Sequence, residues 1–136
     1  MHYNCALTVD CVVFSGDGVV LIKRKNPPFR GAYALPGGFV EEVETVEEAC
    51  IRETMEETGL AIEHLRLVGV YSNPGRDPRG RTVSVAFVAE ADLGSLQAGD
   101  DAADAEVVKD WEHTDLAFDH KKIIADALKT KGVPED

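Results

Sequence analysis

A chain of 136 residues, 44% hydrophobic and 29% charged, carries enough apolar material for the core of one compact domain and too little for two. Its formal charge of −11, from 25 acidic and 14 basic side chains, argues against sequence-independent nucleic-acid binding, which needs basic surface. No apolar run approaches the roughly 20 residues that cross a bilayer, and Met1-His2-Tyr3-Asn4-Cys5 lacks the basic region and apolar stretch of a secretory signal. The expectation is one cytoplasmic domain over residues 1–136, with no membrane or nucleic-acid partner.

In chain order, residues 4–14 are apolar and rich in β-branched types, as in a largely buried strand. Ser15-Gly16-Asp17-Gly18 is a turn signal, and Val19 to Lys23 reads as the second arm of a hairpin. Residues 24–33 are loop-like, with Pro27-Pro28 and Gly31, and Ala34-Leu35-Pro36 is a short extended piece running into Gly37-Gly38. Thr45 and Glu48 have the spacing of a capping box that opens a helix, and Gly59 is placed to end it. Residues 61–72 and 81–91 read as strands joined by a Pro/Gly/Arg loop; 106–111 is a further short strand. Asp119 is placed to cap a last helix over about 120–130, where Ile123, Ile124, Ala127 and Leu128 form an apolar stripe. The order of elements predicts an α/β (α+β) domain with a mixed β-sheet. Cys5, Cys11 and Cys50 lack metal-site spacing and read as reduced, buried thiols.

The first helix carries the chemistry. With Val46 at the centre of a face, and about 100° per residue, Cys50, Glu53 and Glu57 fall close to it, with Ala49 and Glu56 on the flank. Glu53 is spaced three residues from Glu56 and four from Glu57, so like charges crowd one turn and repel. A divalent cation with a taste for oxygen, such as Mg²⁺, would relieve that repulsion, and Arg52 beside them would hold a carboxylate by paired hydrogen bonds. Three glutamates alone leave this reading and a solvated acidic face evenly balanced.

The wider spacing decides between them. Gly38, five residues, Glu44, seven residues, then Arg52-Glu53-Thr54-Met55-Glu56-Glu57-Thr58-Gly59-Leu60 resembles the Nudix hydrolase box at every fixed Gly, Glu and Arg position, and Leu35-Pro36-Gly37-Gly38 resembles its lead-in. Thr54 departs from it, since the family has a bulky aliphatic residue there. The resemblance implies the Nudix fold, a mixed β-sheet sandwiched between α-helices, and hydrolysis of a nucleoside diphosphate linked to another group. It further implies Glu53, Glu56 and Glu57 as metal ligands, with backbone ligation at Gly38, Arg52 as orienting residue, and Glu44 more as a support of the loop. The cofactor implied is Mg²⁺, with Mn²⁺ as a substitute.

Pro74 lies fifteen positions after Gly59 in the loop Gly75-Arg76-Asp77-Pro78-Arg79-Gly80, which leads into Val83-Ser84-Val85. That arrangement, and Leu116-Ala117-Phe118-Asp119-His120, resemble the ADP-ribose pyrophosphatase branch, whose members are often homodimers. Arg76, Arg79 and Arg81 cluster within six positions of an otherwise acidic chain, and guanidinium groups suit phosphate. With Pro74, Arg24 and Arg30 they form the expected substrate-binding set, with Phe29 and Tyr33 as aromatic surfaces for adenine or as packing residues. Glu53, Glu56, Asp104 and Glu106 are the expected sources of the general base, and His120 reads as a helix-start or packing residue ahead of a catalyst. The expected reaction is hydrolysis of ADP-ribose to AMP and ribose 5-phosphate. The rivals are another nucleoside diphosphate derivative or damaged nucleoside triphosphate as substrate, and a non-catalytic ADP-ribose sensor.

Overall fold

The computed structural model describes residues 4–96 and 105–131. In chain order these form strands β1 (Ala6–Ser15), β2 (Gly18–Lys23), β3 (Tyr33–Ala34) and β4 (Gly37–Phe39), helix α1 (Val46–Thr58), strands β5 (Glu63–Tyr71), β6 (Thr82–Glu90) and β7 (Ala105–Val108), and helix α2 (His120–Lys131). The sheet is mixed. β1 runs parallel to β6 on one side and antiparallel to its other neighbours, and the order across it is β3-β2-β1-β6-β5, with β4 on β1 and β7 on β2.

Both faces of β1 are covered, which is why its sequence is a nearly unbroken apolar run. Val9, Cys11 and Val13 pack with Ala49 and Cys50 of α1, while Val12 joins Ile123, Ile124 and Ala127 of α2 on the opposite face. The mixed sheet thus lies between the two helices. Cys11 and Cys50 are buried in that packing, whereas Cys5 is exposed, against the expectation of three buried thiols. Among the described residues, no helix is long and apolar enough to cross a membrane.

One irregularity of the sheet creates the site. The same edge of β1 is shared by two partners: Thr8, Val9 and Asp10 pair with β4, and Phe14 and Ser15 pair with β2. Between them the Cys11 N–H donates to the Pro36 carbonyl at 2.8 Å. The strands part there, and a cleft opens between the end of β2 and the Gly37–Gly38 strand.

Candidate functional site

The ends of α1 follow from its sequence. The Thr45 hydroxyl accepts from the Glu48 N–H at 3.1 Å and the Glu48 carboxylate accepts from the Thr45 N–H at 2.8 Å. Gly59 takes φ +76°, a left-handed conformation that suits a residue without Cβ, and its N–H closes on the Met55 carbonyl. Its buried stripe differs from the one expected. Ala49 and Cys50 continue as Thr54 and Thr58, both fully buried, while Glu53 and Glu57 are half-buried beside that stripe and Glu56 is exposed. The acids do not occupy the centre of the inward face; two of them border the cleft.

The cleft, of about 420 Å³, is lined by Glu53, Glu57 and Gly38, by Arg24, Arg76 and Arg79, and by Asp10, Phe118 and His120. A Cβ on Gly38 would overlap the Glu53 carboxylate, and one on Gly37 would overlap the backbone of β1 and lie 3.0 Å from Asp10 Oδ1. The absence of both side chains lets the strand pass between α1 and β1. The Gly37 N–H donates to Glu57 Oε1 at 2.8 Å, tying strand to helix.

Arg52 gathers the acids. It grips Glu44 with two nitrogens, at 2.7 and 3.0 Å, and reaches Glu53 at 2.5 Å and Glu56 at 3.2 Å. These bonds, led by those to Glu44, raise the guanidinium pKa, and Arg52 in turn holds the Glu44 carboxyl below its ordinary range. Glu44 also accepts the Glu41 N–H at 2.9 Å, so it braces the loop before the helix. Glu53 sits differently: burial pushes its carboxyl up, and the nearby Glu56 and Glu44 charges add to that against the pull of Arg52. Among the described residues, no three His, Cys, Asp or Glu side chains converge on one point. Of the three expected metal ligands, Glu53 and Glu57 line the cleft.

The arginines divide into two kinds. Arg24 and Arg79 both lie over the Phe118 ring, 5.2 and 5.8 Å from its centroid. Burial and then the like charge of Arg79 lower the Arg24 pKa. Arg79 is steadied by Asp77, which accepts from its guanidinium at 2.8 and 3.1 Å. Arg76 is already engaged: two of its nitrogens bond Asp119 at 2.6 and 2.9 Å and a third bonds Thr82 at 3.0 Å, leaving its side chain 5% exposed. The Asp119 carboxylate is thus taken up by Arg76 where a helix cap was expected.

Other expected residues stand outside the cleft. Arg81 reaches the Ser72 carbonyl and lines an adjoining hollow of about 440 Å³ that shares Phe39, Asp77 and Arg79 with the cleft. Arg30 and Pro74 are exposed in their loops and do not line it. Glu106 is exposed on β7 opposite Leu21 and does not line it either, and Asp104 lies outside the described residues.

Sequence reasoning passed over Asp10, Asp77 and the site roles of Phe118 and Asp119. Asp10 had a signal, a lone charge within an apolar strand. It is 6% exposed, accepts from Ser84 Oγ at 2.5 Å, and lies 3.2 Å from His120 Nε2. Burial alone would raise its carboxyl, yet His120, Ser84 and Arg76 outweigh that and hold it below the ordinary value.

This geometry has parallels among known proteins. Over 131 residues the chain is 50% identical to a protein from Methanocaldococcus jannaschii named ADP-ribose pyrophosphatase, across 96% of this chain and 78% of that one. The NUDIX domain of Shewanella oneidensis NrtR, in complex with ADP ribose, aligns with a TM-score of 0.88 at 31% identity, over 96% of this chain and 90% of that one. A bifunctional NMN adenylyltransferase/ADP ribose pyrophosphatase from Francisella tularensis, complexed with AMP and a manganese ion, aligns with a TM-score of 0.81 at 29% identity, over 95% of this chain and 42% of that one. The NUDIX domain model itself matches residues 6–129, which takes in every strand and all of α1, and this chain belongs to the NUDIX domain family.

Proposed function

We propose that this chain is a divalent-metal-dependent hydrolase that cleaves ADP-ribose into AMP and ribose 5-phosphate. The observation that carries the reading is that Glu53 and Glu57 line one cleft together with Arg24 and Arg79. Each pair crowds like charges. A diphosphate with a divalent cation has the complementary charges for both. The name of the Methanocaldococcus relative and the ADP ribose held by the Shewanella domain support the choice of substrate.

The donors fit a hard cation. All are carboxylate or backbone oxygens, and the missing Cβ of Gly38 lets the Glu53 carboxylate lie against the strand where a side chain would collide with it. Glu53 and Glu57, with the Gly38 backbone, would hold Mg²⁺, or Mn²⁺ in its place, and Glu56 would join them on release from Arg52. The manganese ion of the Francisella neighbour supports that choice. When bound, the metal supplies a more acidic water and charge neutralisation at the phosphates.

The residues of the chain do the rest. Arg24 and Arg79 bind the anionic diphosphate and hold it over Phe118. Arg52 keeps Glu53 aimed at the cleft. The water oxygen attacks one phosphorus, the P–O bond of the anhydride breaks, and the bridging oxygen leaves with the other phosphate. The water proton passes to a carboxylate of the site. A cytoplasmic homodimer of this one domain completes the reading, which draws the dimer from the branch it resembles.

Glu57→Gln tests it. Glutamine still offers an oxygen to the Gly37 N–H, so the fold is retained, while kcat on ADP-ribose is expected to fall at least about 100-fold, the scale of losing a main electrostatic contact. Near-wild-type turnover at saturating Mg²⁺ sinks the assignment. A product assay across ADP-ribose, dinucleotides and damaged nucleoside triphosphates separates the substrates. A second reading, an ADP-ribose sensor without turnover, is favoured by the likeness to the Shewanella NUDIX domain that holds ADP ribose; tight binding with no hydrolysis in any divalent metal would establish it.

A further inference from the structure

Three consecutive residues at the start of α2 each address a different part of the cleft. Phe118, at φ +52°, packs edge-on to Phe29 with ring centroids 4.9 Å apart and lies beneath the guanidinium groups of Arg24 and Arg79. Asp119 grips Arg76 with both carboxylate oxygens, and so fixes the loop that carries Arg79. His120 is 4% exposed, and its Nδ1 accepts the Leu35 N–H at 3.0 Å. The ring proton therefore lies on Nε2, which donates to Asp10 Oδ1 at 3.2 Å. With both nitrogens engaged, His120 has no lone pair to offer a water, and it is no general base.

What it does instead follows from where Leu35 leads. Two residues on, the Gly37 N–H is bonded to Glu57, and Gly38 lies against the Glu53 carboxylate. The segment is thus held from the α2 side of the sheet by His120 and from the α1 side by Glu57. Asp10, fixed in turn by Ser84, keeps the imidazole in the one tautomer that accepts at Nδ1.

We infer that His120 and Asp119 are positioning residues for the hydrolysis: His120 sets the Gly37–Gly38 strand against the metal-side carboxylates, and Asp119 sets the arginine wall against the diphosphate. This rests on the hydrolase reading above. It also predicts that the two neighbours fail in different ways, which a merely structural role would not produce.

His120→Gln keeps a donor toward Asp10 and has carbon where Nδ1 accepts the Leu35 N–H, whereas Asp119→Asn keeps its shape and loses the charge on Arg76. For His120→Gln, kcat on ADP-ribose is expected to fall at least about tenfold with KM within about twofold, and calorimetric Mn²⁺ affinity without substrate to weaken about tenfold. The Leu35 amide should also exchange its hydrogen faster. For Asp119→Asn, KM should rise about fivefold or more, with kcat and Mn²⁺ affinity within about twofold.

Unchanged Mn²⁺ affinity in His120→Gln with a faster-exchanging Leu35 amide, or kcat and KM shifting alike in both variants in step with Tm, overturns the inference. Should His120→Gln not fold, or keep the Leu35 amide protected, Ser84→Ala, which loosens Asp10 from the other side, is expected to weaken Mn²⁺ binding in the same direction, and no change there overturns the inference equally. A wild-type chain without turnover refutes the hydrolase reading instead. The Mn²⁺ titration and the ADP-ribose Kd of the two variants then still decide the positioning roles.

Discussion

Helix α2 turns Ile123, Ile124 and Ala127 to the sheet, each at 0% exposure, while α1 turns Ala49, Cys50, Thr54 and Thr58 to the opposite face. Burying an isoleucine side chain contributes about 1.5–3 kcal/mol, so α2 is held mainly by removing apolar surface from water. Little of that is available to α1. Its two buried threonines bring hydroxyls into the core, and only Thr58 finds a partner, the Thr54 carbonyl at 2.6 Å. The helix is fixed instead at its ends, by the Thr45–Glu48 box and Gly59, and along its outer edge by Arg52. The difference teaches what each helix is for. A helix that must aim carboxylates into a cleft gives up part of its apolar face, and local bonds that also steer those carboxylates replace it.

The largest effect expected from this contrast is on stability. Ile124→Ala should lower the unfolding free energy by about 2–5 kcal/mol through lost burial and the cavity left behind, with kcat of the folded fraction little changed. Urea unfolding alongside turnover checks it. A variant that keeps its stability and loses activity would mean that the α2 core serves the site and not the fold.

A smaller effect belongs to the buried Asp10, bonded to the first residue of α2. The Asp10 carboxyl is held below its ordinary value in the folded chain, so it binds protons less readily there than in the unfolded chain. Its contribution is therefore fully present above roughly pH 4, the ordinary carboxylate range, and is lost as pH falls through the folded value. Asp10→Asn should be less stable at neutral pH and should show a shallower loss of stability on the acid side. Urea midpoints measured across that range, parallel for the two proteins, would remove Asp10 from the acid response.

Much of this was legible from local pattern. The apolar run of β1, the turn at Gly16, the capping box and Gly59 each depend on neighbours within a few residues, and they mark the elements correctly. The box spacing led to the cleft for the same reason. What escaped depends on distance or on side-chain size. Arg76 looks like an open phosphate ligand until Asp119, 43 residues further on, closes over it. Asp10 was conspicuous, but its partner His120 arrives only with the last helix. The stripe of α1 was misplaced because threonine is scored as polar, although it is small enough to be buried whole when its hydroxyl bonds back to the helix.

Thr54 is where that compensation stops, and it yields the smallest and sharpest test of the contrast. Its Oγ1 is buried with only the Cys50 thiol for company and has no hydrogen-bond partner of normal geometry among the described residues. A buried hydroxyl in that state costs about 1–3 kcal/mol relative to a satisfied one, and a thiol recovers little of it. Thr54→Val keeps the branched shape and replaces the hydroxyl with a methyl, so stability should rise by about 1 kcal/mol. The urea midpoint should move up at constant slope, with kcat unchanged, since Thr54 does not line the cleft. A fall in stability would mean that the hydroxyl is bonded in solution. The inward face of α1 would then be a polar network held as firmly as the apolar face of α2, and its softness could not be the reason it relies on caps and on Arg52.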